Sequence, residues 1–392
     1  MANRDDKLNL RSVRLWTFAL VIVAAFLLFY GWDLTTYVSG FSASEVASVK
    51  SSSQISFSGI ANAPYNLLQN VTVNIFGQNG WGVRLPSLVF GLSTIVLFYL
   101  LMRQLTNRNI TIFSTVMFAG ASWMLNASRL GDPTITHIMW PIAILLVAYN
   151  VYKFNLAWFW YIVAGLILGL SSYTPRMIYF VILAVMIAIA VFHRYEAKMH
   201  KTGALAGLGI FLLALAPLIF GIYQNPSQLG EIAGTPDFQN VLANFADGLS
   251  NIAWKANLPA YLNLGNLPLL NIVELGLATL GILVIFTDIR APRGWIILGT
   301  TAVSMVLISV LPMGYINVHL LLPQLAVLAS IGLFTLWTRW RELFPKNEAA
   351  RGTAIAALAF VVILSSYYHF ERYYLAWSRV PETQTAFSQQ LP

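Results

Sequence analysis

Apolar residues dominate this chain in long runs, broken by short polar stretches. About eleven runs approach or reach the roughly 17–25 residues that a helix needs to cross a bilayer. They lie near 13–31, 85–102, 110–127, 134–152, 157–173, 176–193, 203–223, 268–287, 295–311, 318–338 and 353–370. The pattern predicts an all-α fold: a polytopic membrane protein of about eleven transmembrane helices. No internal repeat is visible, which weakens the case for an inverted-repeat transporter.

Two polar intervals are long, about 32–84 and 224–267, and loops of that length usually have a function. Each contains an amphipathic piece. Within 59–76, Leu67, Leu68, Val71 and Ile75 fall near one face of a helix. Within 237–254, Val241, Leu242, Phe245 and Leu249 do the same. Such helices either lie in the membrane interface or pack against the outer ends of the spans, and the pattern favours neither. Residues 1–370 read as one transmembrane domain, and 371–392 as a short polar outer tail, too small for a domain. The start MANRDDKLNLRSVR runs straight into an apolar stretch with no small-residue cleavage site, so it reads as a retained first helix.

Composition agrees with this architecture. Hydrophobic residues make up 58% and charged residues 10%, and the mean hydropathy is +0.68. Soluble domains carry about 25% charge. With no cysteine, disulfides, thiolate catalysis and Cys-ligated metals are excluded. The net charge of +8 is not a nucleic-acid signature, because the basic residues collect in one set of loops. Placing the N-terminus in the cytoplasm leaves only Lys50, Arg84, Arg129, Arg176, Lys255, Arg372 and Arg379 of the 23 Lys and Arg outside. This bias predicts a cytoplasmic N-terminus and an external C-terminus.

A few charges recur at one depth, the outer interface. Asp33 follows the first span, Arg84 precedes the second, Arg129 and Asp132 share a tight connection, and Arg176 opens the sixth. A lipid-linked substrate holds its phosphate at that height, and the planar guanidinium fork suits phosphate. An aspartate beside it could take a proton from a hydroxyl, as a general base does. The plainer readings are arginines snorkelling to lipid headgroups, a local Arg129–Asp132 salt bridge and a polar helix end at Asp33. Glu274 lies within the eighth span, where a charge is a functional suspect. The sequons at Asn70, Asn109 and Asn126 are read as chance. Aromatic belts account for most Trp and Tyr. Trp32, Tyr37, Tyr65 and Trp81 alone are assigned to the site.

The ordered segments Trp32-Asp33, Ala63-Pro64-Tyr65, FGQNGWGVRLPSLVFG, SRLGDPT and SYTPRMIYF resemble the GT-C superfamily of integral-membrane glycosyltransferases. The nearest branch contains the dolichyl-phosphate-mannose protein mannosyltransferases and the lipid A aminoarabinose transferases. The resemblance implies an inverting transfer of a hexosyl or pentosyl group from a polyprenyl-phosphate-linked sugar to an acceptor hydroxyl on a lipid, glycan or protein. It would take place on the outer face of a bacterial plasma membrane. It implies Asp33 as catalytic base and Asp132 as a second functional carboxylate, binding acceptor or a divalent metal. Arg84, Arg129 and Arg176 would hold the phosphate. Read from the residues alone, Glu274 either lines the substrate cavity, charged or protonated, or pairs with an Arg, and Tyr65 is a candidate for substrate binding. His319 stands near a position where relatives carry Arg; it is either a phosphate donor or a helix-end histidine. Leu34 follows Asp33 where relatives often carry Glu, and many relatives have a sizeable C-terminal outer domain. No structural metal is expected, since Asp132 and His137, five apart, do not share a helix face. The competing classes are a transporter or flippase of a lipid-linked sugar and an inactive membrane scaffold.

Overall fold

A computed structural model describes residues 29–35, 37–54, 59–153, 158–195, 201–287, 292–311 and 315–391. Residues 13–28 of the first predicted span, and the N-terminal segment that sets its orientation, lie outside the described residues. The other ten predicted spans are all helical. Among the described residues, five helices are long and apolar enough to cross a membrane, a bent pair forms a sixth candidate, and four shorter apolar helices accompany them.

The helices run in order along the chain. The first outer loop carries α1 (Ala43–Ser53) and α2 (Ala63–Phe76). Then come α3 (Gly80–Leu105), α4 (Arg108–Gly120), α5 (Ser122–Arg129), α6 (Thr134–Lys153), α7 (Trp158–Ser171), α8 (Met177–Tyr195) and α9 (Lys201–Gln224). The second outer loop carries α10 (Ser227–Ala233) and α11 (Val241–Ala253). The bundle closes with α12 (Ile272–Thr287), α13 (Pro292–Val310), α14 (Tyr315–Leu343) and α15 (Glu348–Phe370).

Both amphipathic pieces are helical, and α1 is an addition to them. In α2 the polarity is inverted relative to a soluble helix. Asn66, Gln69 and Thr72 are buried, while Leu67, Val71 and Ile75 are exposed. A helix whose apolar side faces away from the protein has that side available for lipid. Membrane helices pack through small residues rather than by apolar burial alone. The α12–α14 crossing shows this: a Cβ on Gly281 would sit 1.9 Å from the Leu328 carbonyl oxygen.

The predicted span 110–127 is not straight. Its two halves, α4 and α5, meet at 60°. Ala121 takes an extended conformation at the break, beside Gly120, whose helix propensity is low. All of α5 is buried, so the bend turns Arg129 into the protein. The tail, read as merely polar, is ordered. A π-helical turn (Glu371–Ala376) and a 3-10 turn (Trp377–Arg379) continue α15, and α16 (Pro381–Ala386) follows. Gln389 then pairs antiparallel with Phe41 of the first outer loop.

Candidate functional site

The first outer loop is tied to the bundle by one buried carboxylate. Ser42 caps α1, and Glu45 three residues later returns a bond to the Ser42 N–H, forming a capping box. That Glu45 is 0% exposed. It also accepts from Arg84 Nε at 2.7 Å and from the Gly131 N–H at 2.9 Å. Around it, Tyr65 Oη lies 2.7 Å from Ser87 Oγ, whose hydroxyl donates to the Leu130 carbonyl. Gln69 donates to the carbonyls of Val83 and Gly131. Asp132, also buried, accepts the Thr134 N–H at 2.9 Å. Burial pushes the Asp132 carboxyl up from its ordinary range. Hydrogen bonds from Thr134 and Ser44 pull it down, and the nearby Glu45 raises it again. Glu45 escaped the sequence reading, although Ser42-Ala-Ser-Glu45 is a legible capping signal.

Arg84 and Arg129 converge on the turn that holds Asp33. Arg84 Nη1 donates to the Leu34 carbonyl at 2.7 Å, and Nη2 to that of Gly40 at 2.9 Å. Arg129 Nη2 donates to the Trp32 carbonyl at 2.8 Å. The two peptide oxygens flanking Asp33 are thus each gripped by a guanidinium. Asp33 itself adopts φ +53°, the left-handed region that few residues other than glycine visit. It is exposed, and among the described residues its carboxylate has no partner. Strain of this kind clusters at functional sites.

Arg129 is also caged by rings. Its guanidinium lies 5.0 Å from the Tyr37 ring centroid, 5.6 Å from Tyr373 and 5.3 Å from Tyr374. Nη1 donates to Tyr374 Oη at 2.9 Å. Burial pushes the Tyr37 phenol up to about 12. A small crevice of about 20 Å³ is lined by Leu34, Tyr37, Arg84, Arg129, Tyr373 and Trp377 among others. The tail aromatics were missed because their partners lie hundreds of residues away.

The remaining predicted residues lie elsewhere. Arg176, with φ +66°, donates its backbone N–H to Ile232 near the second outer loop. His137 and His319, both 2% exposed, are within electrostatic reach of one another, and His137 of Arg176. Glu274 caps its own helix. Its N–H donates to Asn271 Oδ1, and its carboxylate accepts the Asn271 N–H. It also lies 3.1 Å from His369 Nε2, whose Nδ1 is 3.0 Å from Ser122 Oγ. This chain of contacts joins α12, α15 and α5. Trp81 is exposed on α3 and does not line the crevice. Among the described residues, no three His, Asp or Glu side chains gather as metal ligands do.

The fold, helical across the described residues with helices in both long loops, is shared with the solved structures of a bacterial ArnT and an archaeal oligosaccharyltransferase. A sequence model described as dolichyl-phosphate-mannose-protein mannosyltransferase matches residues 64–220. The chain is similar in structure to ArnT from Cupriavidus metallidurans in the apo state. The TM-score is 0.64 at 12% identity, covering 96% of this chain and 78% of that one. It is also similar to the same protein bound to undecaprenyl phosphate, with TM-score 0.59, 13% identity and coverage of 95% and 77%. The Archaeoglobus fulgidus oligosaccharyltransferase, in a complex with zinc and sulfate, matches with TM-score 0.51 at 14% identity. That match covers 95% of this chain and 53% of the larger one. No curated protein matches the sequence at a significant level.

Proposed function

We propose that this protein is a membrane glycosyltransferase that moves a sugar from a polyprenyl-phosphate carrier to an acceptor hydroxyl on the outer face of the membrane. The family match over 64–220 and the likeness to ArnT, solved with undecaprenyl phosphate, support the reaction class and the donor. The observation that carries the reading is the Asp33 turn, strained, exposed and gripped on both sides by arginine. The excess of basic residues in the other set of loops supports a cytoplasmic N-terminus, which puts Asp33 outside.

Asp33 acts as general base in this reading. Its carboxylate takes the proton of the acceptor hydroxyl as that oxygen bonds to the anomeric carbon. The bond from that carbon to the phosphate oxygen breaks, and its electron pair leaves with the carrier phosphate. Attack opposite the leaving group inverts the anomeric centre, through a transition state of oxocarbenium character. Charge builds on the departing phosphate, and stabilising it is the main electrostatic task. Arg129 is placed to do this by exchanging its Tyr374 contact for phosphate. Arg84, whose donors are occupied by Glu45, Leu34 and Gly40, holds the turn. Tyr65 and Asp132 keep the 130–133 connection in register. Arg176 and His319 form a second basic region toward the carrier, and Glu274 secures α12 against α15 through His369. No step is routed through a metal.

The test is sugar transfer from undecaprenyl-phosphate sugars by purified wild type and Asp33→Asn. Loss of a general base lowers the rate by roughly 100- to 10,000-fold. Full transfer by the variant would remove Asp33 from the role of base. Movement of the lipid-linked sugar across liposomes without transfer would replace the enzyme with a transporter.

A further inference from the structure

A second crevice, of about 10 Å³, lies beside the first and is lined by Ser122, Trp123, Asn263 and Arg372 among others. Asn126, Tyr373 and Trp377 line both crevices. The shared wall is therefore largely a pair of stacked rings: Tyr373 and Trp377 lie 5.1 Å apart at 15°. Both belong to the C-terminal segment.

Among the described residues, two polar atoms of the side chains lining the second crevice are buried without a hydrogen-bond partner: Trp123 Nε1 and Asn126 Oδ1. Their residues are 2% and 5% exposed. The Asn126 amide is oriented, because Nδ2 donates to the Tyr261 carbonyl at 3.0 Å. Buried polar groups are normally satisfied, and each exception calls for an explanation. One unpaired donor and one unpaired acceptor, three residues apart on α5, are neighbours on one helix face. A hydroxyl group matches the pair, accepting from the indole and donating to the amide oxygen. The terminal nitrogens of Arg372 already donate to the Pro268 and Leu267 carbonyls and to Asn263 Oδ1, which occupies its fork. The unpaired donor and acceptor therefore ask for a hydroxylated guest, and the flat rings suit the C–H face of a sugar.

We propose that the two crevices are the closed halves of one sugar pocket, with Trp123 and Asn126 reading a hydroxyl of the donor sugar and the Tyr373–Trp377 wall as its movable partition. This rests on the proposed transfer reaction: phosphate on the Arg129 side, sugar on the Trp123 side. Each half now admits only water-sized guests, so the partition swings aside for the sugar. Its outer fastening is the Phe41–Gln389 bridge, two backbone hydrogen bonds of 3.1 Å each. The strand lies flush there: a Cβ on Gly40 would sit 2.1 Å from the Phe387 carbonyl oxygen.

The full chain in nanodiscs is titrated with bare undecaprenyl phosphate and with undecaprenyl phosphates bearing a hexose or an aminopentose. Wild type binds at least one sugar-bearing lipid more tightly than the bare lipid. Trp123→Phe, which keeps a ring and removes the N–H, weakens that lipid by about five- to tenfold and leaves the bare lipid unchanged. The chain has no cysteine, so a Phe41→Cys/Gln389→Cys pair is clean. A hydrogen-bonded antiparallel pair places Cα atoms about 5.5 Å apart, within reach of a disulfide. Oxidised, this variant loses the sugar-bearing lipid, and reduction restores it. Equal binding by wild type and Trp123→Phe, or by the oxidised and reduced pair, would mean that the atoms hold water only and would overturn the subsite. Bare lipid bound without any discrimination by sugar sinks the subsite alone. Failure to bind the bare lipid at all sinks the transfer reading and the subsite with it.

Discussion

Arg84 reaches the Leu34 carbonyl at 2.7 Å while its Nε holds Glu45 at the same distance. A carboxylate on α1 thereby fixes the carbonyl of the residue after Asp33 through a guanidinium on α3. Both ends of the ion pair are buried, with side chains 5% and 0% exposed. Removing one partner of such a pair leaves an uncompensated charge and costs about 3–5 kcal/mol. Glu45→Ala and Arg84→Ala are each expected to lower stability by that order in detergent unfolding. The double variant should lose less than the sum of the two. Additive losses would show that the pair does not act as a unit.

The left-handed backbone at Asp33 separates folding from chemistry. Asn tolerates that region, whereas a Cβ with no compensating polar group costs about 1–2 kcal/mol there. Asp33→Asn should unfold within about 0.5 kcal/mol of wild type, and Asp33→Ala roughly 1 kcal/mol lower. If both fall equally, the carboxylate is structural, and any loss of transfer would have to be re-read as a folding effect.

Much of this was legible in the sequence. The apolar runs placed ten helical segments among the described residues, because length and hydropathy are local properties. Of the charges assigned to one depth, Arg84 and Arg129 do meet at the Asp33 turn, while Arg176 lies apart from them. The partners of Arg84 and Arg129 were less legible. The Arg84–Glu45 pair joins residues 39 apart, and Arg129–Tyr374 joins residues 245 apart. No periodicity encodes such pairings. The bend at Ala121 was hidden for the opposite reason: apolar content runs through it unchanged. Glu274 looked like an intramembrane charge because the helix start at Ile272 was taken to lie earlier, which concealed the Asn271–Glu274 cap.

Asp132 makes the stability depend on pH. Burial raises its carboxyl above the ordinary value, so the neutral form suits the fold. Its contribution is full below the ordinary carboxylate pKa of about 3.9 and is lost as pH rises through the folded value. Asp132→Asn keeps an oxygen for the Thr134 N–H and cannot ionise. The variant's unfolding midpoint should gain on wild type as pH is raised from about 4 toward 7. A gap that is constant across that range would mean Asp132 titrates alike folded and unfolded.

Arg129 bonds Tyr374 and Trp32 with two arms of its fork and lies against three rings. Lysine keeps the charge but has neither the fork nor the planar face. Arg129→Lys should weaken undecaprenyl phosphate binding about tenfold, a loss of roughly 1.4 kcal/mol. Lysine performing equally well would show that only the charge matters there.

The inverted helix α2 supplies the last expectation. Its exposed Leu67, Val71 and Ile75 form a stripe at helical spacing, and its buried Gln69 and Thr72 hold the bundle through Val83, Gly131 and Gly82. Among the described residues no protein covers that side, and water is a poor solvent for three aliphatic side chains and for Phe76 beside them. If the helix lies in the interface, the stripe sits roughly 5–10 Å into the headgroup boundary. Single cysteines at 67, 71 and 75 in this cysteine-free chain, carrying nitroxides in liposomes, should meet oxygen more often than a water-soluble nickel relaxer. Cysteines at Gln78 and Asn79, both exposed just past the helix exit, should show the reverse. Equal ratios at all five positions would place α2 in water. The Asp33 turn would then stand clear of the membrane surface, where a carrier phosphate could not reach Arg129.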